Sequence, residues 1–159
     1  MAKVKPVPEG YSGITPYLVV KGAAKAMDFY KKAFGAKETV RMGQADGRIG
    51  HAEMQIGEAR FMLADEFPEM NILSPQSLGG SGTGLLLYVE DVDVVFKRAL
   101  ASGATQEKPV QDQFYGDRSG TLQDPFGHKW TIATHKEDVP PAEMCKRAEA
   151  AMKQMTGCG

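Results

Sequence analysis

The sequence predicts an α+β fold: two tandem β-α-β-β-β modules forming a curved mixed sheet around a cleft, with a helix appended at the C-terminus. Three observations carry this expectation. The chain has 159 residues, 42% hydrophobic and 25% charged, enough for one compact body or for two small modules sharing a core. The order strand, helix, strand, strand, strand occurs twice. Identities also recur at a near-constant spacing: Arg48-Ile49-Gly50 with Arg118-Ser119-Gly120, Gly57 with Gly127, Val20 with Val89, and Gly35-Ala36 with Gly103-Ala104. A repeat of this length is no short solenoid unit, and the 18 glycines spread along the chain suit many tight turns.

The elements follow from local pattern. Residues 14–20, β-branched and aromatic, read as a strand whose Pro16 implies an edge or an irregular start. Residues 23–34 place Met27, Tyr30 and Phe34 on one helical stripe, and Gly35 closes the helix. Strands over 37–43 and 48–56 flank the hairpin signal Asp46-Gly47, and a strand from Ala59 to Ala64 follows the turn at Gly57-Glu58. The stretch 66–83, rich in Pro and Gly, is a connection. The pattern then restarts with a strand over 85–89. A helix capped by Asp91 carries Val92, Val95, Phe96, Ala99 and Leu100 and ends at Gly103. Strands near 105–110, 117–123 and 129–135 complete the second module. Pro140 and Pro141 start a helix with a modest stripe of Met144, Ala148, Ala151 and Met155. The implied division is 12–65 and 84–138 for the modules, 66–83 for the connection and 139–159 for the extension.

Composition excludes several classes. A formal charge of -1, from 19 Lys+Arg against 20 Asp+Glu, supplies no field for nucleic acid. Mean hydropathy is -0.32, and no apolar run approaches the ~18 residues of a membrane span. The start Met1-Ala2-Lys3-Val4-Lys5-Pro6 lacks a signal-peptide core. Cys145 and Cys158 form neither a disulfide framework nor a zinc ribbon, so a cytoplasmic location is expected. Nucleotide phosphate loops are missing, and Ser81 is not in a nucleophile elbow.

Certain segments bear a family likeness: Tyr17-Leu-Val-Val-Lys-Gly22 with Ala26-Met-Asp-Phe-Tyr30, Gly50-His-Ala-Glu53 with Met62-Leu-Ala-Asp-Glu-Phe-Pro68, Tyr88-Val-Glu-Asp-Val92, and Tyr115-Gly-Asp-Arg-Ser-Gly120 leading to Asp124-Pro-Phe-Gly-His-Lys-Trp130. Over residues 12–138 the chain resembles the vicinal oxygen chelate superfamily of glyoxalases, bleomycin-resistance proteins and extradiol dioxygenases, and within it the glyoxalase-like branch associated with phosphonate operons. The resemblance implies a homodimer and a small-molecule ligand. It also implies metal ligands, mostly His, Glu or Gln, near the starts of the first and last strands of each module. Those positions carry over to Thr15, Phe61, Gly84 and Thr131. Phe and Gly offer no donor and Thr hydroxyls are weak ligands, so the usual metal site is expected to be absent, and no cofactor with it.

A displaced divalent-metal site is the alternative. His51 and Glu53 are two apart on one strand and share a face, suited to metal binding or to general acid–base work; a surface polar pair is the plainer reading. A three-residue turn at Gly57 would bring Asp65 beside His51, whereas a two-residue turn pairs Glu53 with Met62. Both registers stay open. Arg118, next to Phe114 and Tyr115, either holds an anionic ligand or serves the scaffold. His128 reads as a turn residue, His135 as a solvated strand end and Trp130 as core. The expected ligand cleft comprises Thr15, Tyr17, Met54, Phe61, Leu63, Arg118 and Thr131. Two activities fit the sequence: metal-independent binding of a small organic molecule, and a glyoxalase-type lyase or dioxygenase with a displaced metal.

Overall fold

The computed structural model describes residues 4–156, with side chains as far as Lys153. The first module runs β1 (Tyr17–Val20), α1 (Ala23–Phe34), β2 (Lys37–Gly43), β3 (Ile49–Ile56) and β4 (Ala59–Asp65); the second runs β5 (Gly84–Tyr88), α3 (Val92–Ala101), β6 (Thr105–Asp112), β7 (Asp117–Gln123) and β8 (Lys129–His135). Between them lie a short 3₁₀ turn (Pro68–Met70) and the one-turn helix α2 (Pro75–Leu78), and α4 (Pro141–Thr156) follows. Each module forms its own four-stranded mixed sheet, ordered β1-β4-β3-β2 and β5-β8-β7-β6. In each, the first strand pairs in parallel with the last and the remaining pairs are antiparallel.

Strand alternation separates two faces in each sheet. Leu18, Val20, Ala52, Met54, Phe61 and Leu63 turn inward under α1, while Leu122, Trp130 and Ile132 turn inward under α3. The modules share one core. Phe34 and Tyr30 of α1 meet Trp130 of β8 at ring separations of 4.8 and 5.6 Å, and Phe29 meets Phe126. Polar links cross the same seam: Arg98 donates to the Ala33 carbonyl at 2.8 Å and His128 Nε2 approaches the Val19 carbonyl at 3.0 Å. Gly120 has no side chain because a Cβ there would stand 2.8 Å from Phe96 and 2.9 Å from Val110.

The two modules cap their helices alike. The Asp65 carboxylate, at the end of β4, accepts from the Gly22 and Ala23 amides at the start of α1 and from Ile49 N, at 2.8, 2.8 and 2.7 Å. The Thr134 hydroxyl, at the corresponding place on β8, accepts from Val92 N at 2.9 Å. The first amides of a helix lack partners within it, and a side-chain acceptor supplies one.

Residue pairing corrects the alignment of the repeat. Met54 stands opposite Phe61 and Leu122 opposite Trp130, so Met54 corresponds to Leu122 and Phe61 to Trp130. The match of Arg48-Ile49-Gly50 with Arg118-Ser119-Gly120 is therefore out of register: Arg48 precedes β3, whereas Arg118 lies within β7. The strand expected from residue 14 begins at Tyr17, just after Pro16, and Ile14 is exposed. Beyond β8, Arg147 ties α4 to Glu137 at 2.8 and 2.9 Å, and Met144, Ala148 and Ala151 form a half-buried stripe. The Met155 side chain and Cys158 lie outside the described residues.

Candidate functional site on the outward face of the first sheet

The β3–β4 turn decides which side chains meet. It is a two-residue turn, with Ile56 opposite Ala59 and Glu53 opposite Met62. Ala52 and Met54 point into the core, so His51, Glu53 and Gln55 point outward. Tyr17 pairs with Met62, Val40 with Glu53 and Met42 with His51; these side chains share the outward face.

A continuous polar chain runs across it. The Tyr17 hydroxyl lies 3.0 Å from His51 Nδ1, and His51 Nε2 lies 3.3 Å from Glu53 Oε1. Tyr11 donates its hydroxyl to Glu53 Oε2, and the Arg60 guanidinium sits over the Tyr11 ring at 5.0 Å from its centroid. The Tyr11 hydroxyl, followed by His51, holds the Glu53 carboxyl below its usual range. An ionised Glu53 only accepts, so His51 Nε2 donates to it, and the Tyr17 hydroxyl, able to donate or accept, pairs with Nδ1. Burial raises the Tyr17 phenol. Tyr17 also lines a cavity of about 440 Å³ together with Val19, Ala64, Phe67, Met70 and Ile72. A molecule seated there would meet mostly apolar walls, the Gln44 side chain and the Tyr17 ring, whose hydroxyl is bonded to the His51–Glu53 pair. Such an arrangement can orient a polar group and move a proton to or from it.

The same residues do not fit a metal. Asp65, the third member of the displaced ligand set, lies on the opposite face of β4 from Met62, and its two oxygens are taken by three backbone amides. Among the described residues no group of three or more His, Cys, Asp or Glu side chains is placed to hold an ion. His51 and Glu53 are left as a two-residue set, short of the three or four protein donors usual for a transition metal.

The other expected site residues are dispersed. Met54 and Leu63 are fully buried beneath α1, because their apolar side chains follow the inward alternation, and Phe61 faces the same core while lining, with Thr15, a second cavity between the modules. Thr131 faces outward on the second sheet and bonds Thr121 at 3.2 Å; Gly84 begins β5. Arg118 gives a bidentate pair to Asp93 of α3 at 2.8 and 2.9 Å and a third bond to Asp112 at 3.1 Å, so its donors serve the scaffold. Tyr11, Arg60 and Phe67 carry no signal of their roles in the sequence pattern. Tyr11 and Phe67 lie outside the strands, where periodicity carries no information.

His135 is more constrained than a solvated strand end: Nδ1 meets Asp117 at 2.7 Å and Nε2 meets Asp138 at 3.0 Å. Those bonds, Asp117 first, raise its pKa. The resulting stabilisation is complete below the unfolded value of about 6.5 and is lost as pH rises through the elevated folded value. The melting-temperature gap between wild type and His135→Gln should therefore be widest near about pH 6 and shrink by about pH 8; a gap independent of pH would contradict this.

The model of the glyoxalase/bleomycin resistance protein/dioxygenase superfamily matches residues 13–132. The chain belongs to that superfamily. It is 43% identical over 129 residues to the uncharacterized protein Mb0911c of Mycobacterium bovis, covering 79% of this chain and 85% of that one. Among solved structures it is similar to TioX from Micromonospora sp. ML1, with TM-score 0.61 and 28% identity over 79% of this chain and 99% of that chain. The PhnB protein of Bacillus cereus, at TM-score 0.62 and 22% identity over 77% and 99% of the two chains, shares the fold. No helix among the described residues is long and apolar enough to cross a membrane.

Proposed function

We propose that the chain binds a small organic molecule on the outward face of its first sheet and does so without the metal common in its superfamily. The observation that carries this reading is Tyr17, which at once lines the 440 Å³ cavity and bonds to His51 of the His51–Glu53 pair. A cavity of that volume falls in the range of about 300–1,000 Å³ common for small-molecule sites. Of its lining residues only Tyr17 and Gln44 carry polar side chains, too few donors to hold a transition metal there.

The test is a thermal-shift screen of small carbonyl, phenol and heterocycle compounds in the presence of EDTA. Hits should raise the melting temperature of wild type in chelator, with the shift lost in Phe67→Ala and weakened in Tyr17→Phe. Shifts that appear only with added divalent metal, or that survive both substitutions, would contradict the reading.

A homodimer is part of the same proposal. Tyr17, Leu86 and Tyr88 face outward with 49, 56 and 56% of their surface exposed, and apolar outward faces on both sheets suit closure by a second copy. Light scattering at micromolar concentration reads the stoichiometry, and a monomer there would remove this part. A cytoplasmic location fits the reading, and fractionation of expressing cells would check it.

A further inference from the structure

A second cavity, of about 450 Å³, lies between the modules beneath residues 10–16. Its inner walls are apolar, formed by Phe61, Leu85, Leu87 and Trp130, while Ser12, Thr15, Glu58 and Arg60 supply polar groups to its lining. It is separate from the outward-face cavity, with which it shares no lining residue.

Arg60 differs from the other arginines. Arg41, Arg48, Arg118 and Arg147 each pair with a carboxylate within 4.0 Å, and Arg98 bonds the Ala33 carbonyl. Arg60 instead stacks on the Tyr11 ring, makes a polar contact with the Tyr11 hydroxyl, attracts the Glu53 carboxylate at longer range, and lies close to Gly10, where a Cβ would stand 2.7 Å from its Nε. The neighbouring Glu53 is engaged by Tyr11 and His51, and Glu58 shares the cavity rim. A guanidinium with no carboxylate within 4.0 Å among the described residues, beside an apolar chamber, matches an amphiphile with a planar anionic head.

We propose that this inter-module cavity binds a monocarboxylate with an apolar body, the body lying against Trp130 and Phe61 and the carboxylate accepting from Arg60. The two cavities share no lining residue, and Tyr11, which stacks on Arg60 and donates to Glu53, is the link between this site and the outward face. Residues 10–16 form its cover, held by the Tyr11–Arg60 stack that the incoming carboxylate would share.

Trp130 is the chain's one tryptophan and lines the cavity, so its emission reports occupancy. Octanoate and octanol, matched in chain length and different in head group, are the probes. Octanoate should change the emission saturably and bind about tenfold more tightly than octanol. Arg60→Gln should abolish that preference while leaving octanol binding unchanged. Leu85→Phe, which fills the chamber with another apolar group, should weaken both probes, and Phe67→Ala, in the outward-face cavity, should affect neither. Equal affinity for the two probes, no saturable change, or an unaltered preference in a folded Arg60→Gln protein would overturn the proposal and leave Arg60 as a clasp for the N-terminal segment.

Discussion

Asp124→Asn should destabilise the protein by about 3 kcal/mol, lowering the melting temperature by roughly 6–12 °C. The Asp124 carboxylate is buried and accepts four hydrogen bonds: from the Tyr30 hydroxyl at 2.7 Å, Trp130 Nε1 at 3.0 Å, and the Phe126 and His128 amides at 2.9 Å each. The two amides fix its turn, while Tyr30, on α1, joins that turn to the other module. Asparagine can still accept from the amides through its oxygen. Its NH2 group, however, would face the indole N–H, a donor that cannot reverse its role, leaving a buried group unsatisfied. Urea denaturation read by tryptophan emission measures the loss; a change below about 1 kcal/mol would mean that the four bonds do not act together.

The second large effect is expected at Asp65. Asp65→Ala removes the acceptor of three backbone amides at the junction of β1, α1 and β3, with an expected cost of about 3 kcal/mol. Asp65→Thr is the informative companion, because the second module uses Thr134 in the corresponding place. Threonine can restore one acceptor, to Ala23 N, while Gly22 N and Ile49 N remain without one. Its cost should fall near half that of alanine. Hydrogen exchange at the Gly22 and Ala23 amides locates the effect, and equal losses for the two substitutions would argue against capping as the cause.

These two residues also show what the sequence could and could not convey. Asp124 is legible as turn chemistry in Asp-Pro-Phe-Gly-His, but its partner Tyr30 is 94 residues away, and no local pattern reports such a contact. Asp65 was a possible metal ligand until the turn at Gly57-Glu58 was fixed. One residue more in that turn would reverse its face, and propensity does not resolve a single residue of register. The helices and most strands were readable because amphipathic spacing, Asp91 and Gly35 all mark them locally. Met54 and Leu63 were expected in the cleft on hydrophobicity alone; alternation sends them to the core, and the outward face is marked instead by the polar members of the same strands, His51 and Glu53. The repeat was visible as an order of elements, while its glycine identities suggested a register that strand pairing corrects.

This superfamily scaffold is expected to work here without a metal, and elemental analysis tests that expectation most directly. Protein purified without chelator, and again after incubation with zinc, manganese or ferrous iron and gel filtration, should carry no stoichiometric metal, and His51→Ala should leave that result unchanged. One ion per chain that is lost in His51→Ala would contradict the account.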